Sequence, residues 1–319
     1  MFIVHLTQSL VVLLALIGAA FWLKRRGIVD ADNAQGFTRI VTELLLPALV
    51  FASLSRHALR PELMLPGLVM LASVLTGLFV AWLLGLALKL RPGQLGALVL
   101  VAGFGSSASL GYALIAQVFP DNGKAMLDAV VLNSIGSTIP VFVIGVPIAA
   151  HFGSREGGSG DSGAATLKAL RSFFTSSLFA ALVLGVAAAF VGLPDNAFTA
   201  TLYQFLQTLQ DAVPLMVALS IGLMLRPLAL SEVGLALLLV ALVKLALEPF
   251  LVADLASTEH IDGLGREVLL IEAAMPSGSI AALLAARYGC DAAFASGLAV
   301  VTYGLSLVTA PVAVYLLGR

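Results

Sequence analysis

Glu272 opens the stretch EAAMPSGSIAALLAARYGCD, residues 272–291, which is apolar enough to lie in a bilayer yet carries residues that break a helix. Pro276 removes a backbone donor and Gly278 loosens the helix, so the sequence predicts an interruption over residues 275–279. Freed backbone groups at membrane depth persist only where they are buried in protein or line a wet cavity. The two half-helix ends then carry partial charges that can hold a substrate or an ion. Pro276, Ser277, Gly278 and Ser279 are therefore candidate substrate ligands. Glu272 sits one turn before the break, where a carboxylate and freed carbonyls could hold a cation, or where the carboxylate could carry a proton. The competing structural role for Glu272 is that of a buried acid hydrogen-bonded to the unwound backbone of another broken helix.

A second stretch repeats the first. Residues 106–121, SSASLGYALIAQVFPD, align without a gap on residues 276–291, bringing Ser107 onto Ser277, Ser109 onto Ser279 and Asp121 onto Asp291. Val130 and Val131 fall on Val300 and Val301 at the same offset, and Pro47 in LLLPALV answers Pro214 in DAVPLMV. Ser106, Ser107 and Ser109 thus form a second candidate set, whose half-helix would begin with free amides. Asn133 shares a polar face with Ser134, Ser137 and Thr138, as a substrate ligand or as interhelical glue. Lys244 and Glu248 are spaced i, i+4 just before Pro249 and fit a structural ion pair. Glu43 and Asp211 each lie about one turn before a proline and are read as residues near a membrane surface.

The elements that must position these groups follow from composition. The 319 residues are 60% hydrophobic and 11% charged, with mean hydropathy +1.05, which marks a polytopic membrane protein. A net charge of −1 without a basic patch excludes the usual nucleic-acid role, and the single cysteine, Cys290, rules out an internal disulfide. His5, His57, His151 and His260 fall near span ends or in loops, no HExxH is present, and no cofactor or enzymatic activity is expected. At about 20 residues per span, ten helices are expected at roughly 4–23, 38–55, 66–88, 94–118, 127–150, 172–191, 202–224, 232–251, 266–286 and 293–316. A Gly- and Ser-rich segment over 151–171 separates one five-helix unit, 1–150, from another, 172–319. An odd number of spans per unit makes the two an inverted repeat. Most basic residues, among them Lys24, Arg25, Arg26, Arg91, Arg155, Arg171 and Arg287, fall on one side. The positive-inside rule then makes that side and the central linker cytoplasmic and both termini extracytoplasmic.

With LLLPALVF in the second span, a Gly/Ser-rich fourth span ending in FPDNG, VKLALEPF in the eighth and AAMPSGSIAALLAARYGCD in the ninth, the chain resembles the auxin efflux carrier family over essentially its whole length. IEAAMPSGSIAALLAA is also similar to the matching segment of bacterial bile acid sodium symporters, in which a glutamate at the place of Glu272 contributes to a sodium site. The resemblance implies an all-α transporter of the cell inner membrane. A transport domain of spans 3–5 and 8–10, in which the broken fourth and ninth spans cross at the midplane, would move against a scaffold of spans 1, 2, 6 and 7. Its implied substrates are small organic anions, auxin-like acids or dicarboxylates such as malonate, coupled to Na+ or H+ or to no ion. A homodimer through the scaffold would suit the family. The plant carriers have Asn-Pro-Asn where this chain has Ser106, Ser107 and Ala108, so auxin itself is not assumed. Two alternatives stand: a sodium-coupled symporter of a bile-acid-type amphipathic acid, and a membrane-embedded ligand sensor.

Overall fold

The computed structural model describes residues 2–29, 36–37, 39–55, 64–119, 122–156, 167, 171, 174–225, 230–261 and 263–317. Every named element among them is helical. In chain order these are α1 (Phe2–Arg25), α2 (Leu46–Ser55), α3 (Met64–Ala87), α4 (Pro92–Gly103), α5 (Tyr112–Val118), α6 (Gly123–Asn133) and α7 (Val146–Glu156). They continue with α8 (Ser177–Val191), α9 (Ala197–Met224), α10 (Leu230–Leu242), α11 (Glu248–Thr258), α12 (Gly263–Ala273), α13 (Ser279–Arg287) and α14 (Ala292–Leu317). Residues 157–166 and 168–170 of the expected linker lie outside the described residues; α7 itself continues past residue 150 to Glu156.

Among the described residues, five continuous helical stretches are long and apolar enough to cross a membrane: Met64–Ala87, Lys124–Glu156, Ala197–Met224, Gly234–Thr258 and Ala292–Leu317. They display Phe79, Leu83, Leu238, Val308 and Leu316 outward, an apolar surface suited to lipid. Helix ends follow local chemistry. Asn196 accepts a hydrogen bond from the Thr199 amide at 2.9 Å, which starts α9 at Ala197, earlier than the residue 202 that hydropathy places there. At the other end of α9, Lys24 Nζ donates to the carbonyls of Leu223 (2.6 Å) and Leu225 (2.9 Å), a cation on the negative end of the helix dipole. Gly222 lets α1 and α9 approach closely, since a Cβ there would lie 2.4 Å from the Ile17 carbonyl oxygen.

Among the described residues, four π-helical turns, in three continuous helices, each end two residues before a proline. Val41–Leu45 precedes Pro47, Ser134–Thr138 precedes Pro140, Val141–Gly145 precedes Pro147, and Val243–Leu247 precedes Pro249. Proline has no N–H to offer the carbonyl four residues back, and its ring crowds that carbonyl, so the chain loosens just upstream. These turns carry Glu43, Thr138 and Lys244. A fifth, Ser107–Gly111, has no such proline and follows the interruption between α4 and α5.

The helices pack in two sets. In one, α9 packs on α1 and α2, and α2 on α8; in the other, α4 is packed on by α3, α7, α13 and α14, and α12 lies against α6 and α11. α1 and α9 meet the second set at α5, α13 and α14.

Candidate functional site

Two helices stop short and meet. α4 ends at Gly103 and Phe104 turns extended (φ −111, ψ 124), while α12 ends at Ala273 and the chain stays non-helical through Gly278 (φ −70, ψ 129). The two extended stretches run antiparallel, with Gly105 bridged to Ser277. The Ser106 amide donates to the Pro276 carbonyl at 2.8 Å, and the Gly278 amide donates to the Phe104 carbonyl at 2.6 Å. Each break thus satisfies the other, as buried backbone polar groups require. Gly278 permits the approach: a Cβ on it would lie 2.7 Å from the Gly105 carbonyl oxygen.

The expected site residues divide by role around this crossing. The amides of Ser106 and Gly278 are consumed by it, and the Ser277 amide donates to Thr302 Oγ1 of α14 at 3.2 Å. Pro276 contributes its carbonyl. Ser107 and Ser279 each begin the helical segment that follows a break, where leading amides have no intrahelical acceptor. The hydroxyls of Ser107 and Ser277 are fully buried, and that of Ser107 faces Glu272. The backbone of Ser109 lies in the π turn after the break, but its side chain lies outside the described residues.

Asn133 Nδ2 donates to the Tyr112 hydroxyl at 2.7 Å and to Thr138 Oγ1 at 3.1 Å, tying α5, α6 and the adjoining π turn together. Asn133 also lines a cavity of about 40 Å³, with Leu49, Val50, Gly105, Ser137, Gly278 and Ile280 among its walls. That is room for about one water. The cavity adjoins the crossing and is walled on its other side by α2.

Three buried charges flank the crossing. Lys244 pairs with Glu248, as the i, i+4 spacing predicts, with the side chains 0% and 1% exposed. The ammonium also lies against the crossing itself, since a Cβ on Gly105 would sit 2.9 Å from Lys244 Nζ. Glu272, 1% exposed, is packed against Gly111, where a Cβ would meet both its carboxylate oxygens at 2.8 Å. The Ser107 hydroxyl, at the start of the segment after the first break, and the Lys244 charge face it. Among the described residues no group of three His, Cys, Asp or Glu side chains gathers as a metal site. One buried cation thus serves two buried carboxylates.

Sequence reasoning placed no basic group at the crossing, because Lys244 read as one half of a local pair. It also missed Tyr303 and Thr302. Tyr303 is wholly buried, with its hydroxyl facing Ser106 and Ser279. The signal was present: the offset of 170 that aligns the two broken spans also lays Asn133 on Tyr303.

Comparison with known proteins gives the family. The chain is 25% identical over 287 residues to an uncharacterized transporter of Methanocaldococcus jannaschii, covering 88% of each chain. It is 28% identical over 308 residues to an uncharacterized transporter of Methanothermobacter thermautotrophicus, covering 96% of each. A family profile described as membrane transport protein matches residues 5–161 and 163–314. A chain of apolar helices that matches this profile over nearly all its length belongs to the membrane transport protein family, the auxin efflux carrier group.

Proposed function

We propose that the protein is a secondary transporter that moves a small organic carboxylate across the cell membrane by alternating access. The observation that carries this reading is the crossing of two interrupted helices beside a small cavity, mostly apolar, that Asn133, Ser137 and Thr138 line on one part. Helix-start amides at Ser107 to Ser109 and at Ser279, with the Lys244 ammonium behind them, supply positive potential for an anion. Asn133, Ser137 and Ser277 offer hydroxyl and amide groups to its oxygens. In this reading the chain has ten spans in two inverted repeats, which the shared offset of the two breaks supports. α1, α2, α8 and α9 form the scaffold against which the other helices move. Charge asymmetry favours extracytoplasmic termini in the inner membrane.

A coupling cation, Na+ or H+, is assigned to Glu272. One cation against two buried carboxylates leaves the cluster short of one positive charge, and an uncompensated buried charge costs several kcal/mol. The test is thermal stabilisation of the purified protein by mono- and dicarboxylates, indole acids and bile acids, each in sodium or potassium and at two pH values. Stabilisation by one carboxylate class supports the carrier, and a requirement for sodium that Glu272→Gln abolishes assigns the coupling ion. A protein stabilised by none of these anions is not a carboxylate carrier.

A further inference from the structure

Glu43 and Arg287 form an ion pair that the chemistry of the crossing does not use. Arg287 ends α13, the nine-residue helix that starts at the crossing, and Glu43 lies in the π turn that leads into α2. The same two helices wall the cavity, through Leu49 and Val50 of α2 and through Ile280 and Ala281 of α13. Helix rise places the ion pair about 10 Å farther along that seam. It closes the seam on the side assigned to the cytoplasm.

The pairing is incomplete in a particular way. Arg287 Nη2 donates to Glu43 Oε1 at 2.5 Å, but the other oxygen of Glu43 accepts from Ser177 Oγ of α8 at 2.9 Å. Arg287 Nη1 is not taken by Glu43; the Tyr288 side chain lies against the guanidinium instead, its ring centre 5.6 Å from the guanidinium carbon and its hydroxyl facing it. A guanidinium presents two parallel N–H donors that one carboxylate can accept together. Glu43, shared with Ser177, fills only half of that fork.

We propose that Arg287 is a docking site for the carboxylate of the substrate on its way to the crossing, and that Glu43 is the internal carboxylate it displaces. This rests on the reading of the protein as a carboxylate carrier. An arriving carboxylate takes both guanidinium nitrogens, so the charge of Arg287, 18% exposed, is never left alone. Glu43, already 52% exposed and held by Ser177, returns to water at little cost. The exchange also releases the tie between α2 and α13, which the substrate must part to reach the cavity.

The experiment titrates malonate, benzoate and indole-3-acetate into purified wild type, Glu43→Gln, Arg287→Gln and Arg287→Lys, following heat and thermal stabilisation. Removing the internal competitor with Glu43→Gln tightens the bound probe by about tenfold, and Arg287→Gln weakens it by about tenfold or more. Arg287→Lys, which keeps the charge and loses the fork, falls between. If the pair is only a structural tie, both neutralisations loosen one seam and move affinity the same way. That outcome, or no change in either variant, overturns the docking site while leaving the carrier intact. Should Arg287→Gln not fold, Glu43→Gln decides alone, with unchanged or weaker binding counting against the proposal. A wild type that binds none of the probes removes the carrier reading and this inference with it.

Discussion

Lys244 compensates more charge than its local partner. Its ammonium pairs with Glu248 and also faces Glu272, so its removal leaves two buried carboxylates uncompensated. Removing Glu248 instead leaves the ammonium with Glu272 as its remaining counter-charge. Breaking a buried pair from one side typically costs about 3–5 kcal/mol. Lys244→Met is therefore expected to lower the apparent melting temperature in detergent further than Glu248→Gln, read from the fluorescence of Trp22 and Trp82. The reverse order would mean that Glu272 does not share the cation. Cys290, in the turn between α13 and α14, makes a simpler case. Burial, with the carboxylates of Glu156 and Asp291 nearby, pushes its thiol up to about 12. Only the thiolate attacks a maleimide, so at pH 8 roughly one thiol in 10⁴ is reactive. Mass spectrometry should find the folded protein nearly unmodified from pH 6 to pH 9 and modified readily once denatured. Rapid alkylation of the folded protein would contradict the burial.

At the scale of elements, the sequence disclosed the breaks better than their partners. Pro276 and Gly278 announce an interruption because their effect on a helix is local, and the observed non-helical stretch covers residues 274–278. The break in the fourth span has no proline and was legible only through its repeat partner. What local reasoning could not supply was the crossing itself, since the hydrogen bonds joining 104–106 to 276–278 span about half the chain. The π turns were equally hidden. A proline such as Pro249 predicts a kink, but not that the turn before it widens and carries Lys244. The crossing gives the sharpest test at this scale. A Cβ on Gly278 would lie 2.7 Å from the Gly105 carbonyl and 3.1 Å from the Phe104 carbonyl, both fixed backbone atoms. Gly278→Ala should therefore cost about 1–3 kcal/mol of stability and abolish transport. Gly304→Ala, with nothing within 4 Å of the added methyl, should be neutral or gain about 0.5–1 kcal/mol from helix propensity. Equal melting temperatures for the two variants would remove the crossing from the account of stability.

For the whole molecule, membrane class and family were legible because composition and motifs are additive along the chain, whereas the state of the site was not. Whether a cavity is open depends on how two packed sets of helices sit against each other, and the structure has a cavity of about 40 Å³, too small for a carboxylate substrate. A carrier must open this space to each side in turn, whereas a sensor need open it to one side only. Ser137 reports on the difference, since it lines the cavity on the non-α2 side with a buried, unbonded hydroxyl. In a Cys290→Ser background, Ser137→Cys is expected to react slowly with a membrane-impermeant maleimide both in right-side-out and in inside-out vesicles. A transported carboxylate should alter both rates, because it shifts one population between two open forms. Labelling confined to one side, whatever ligand is present, would argue for a receptor that binds its ligand without carrying it across.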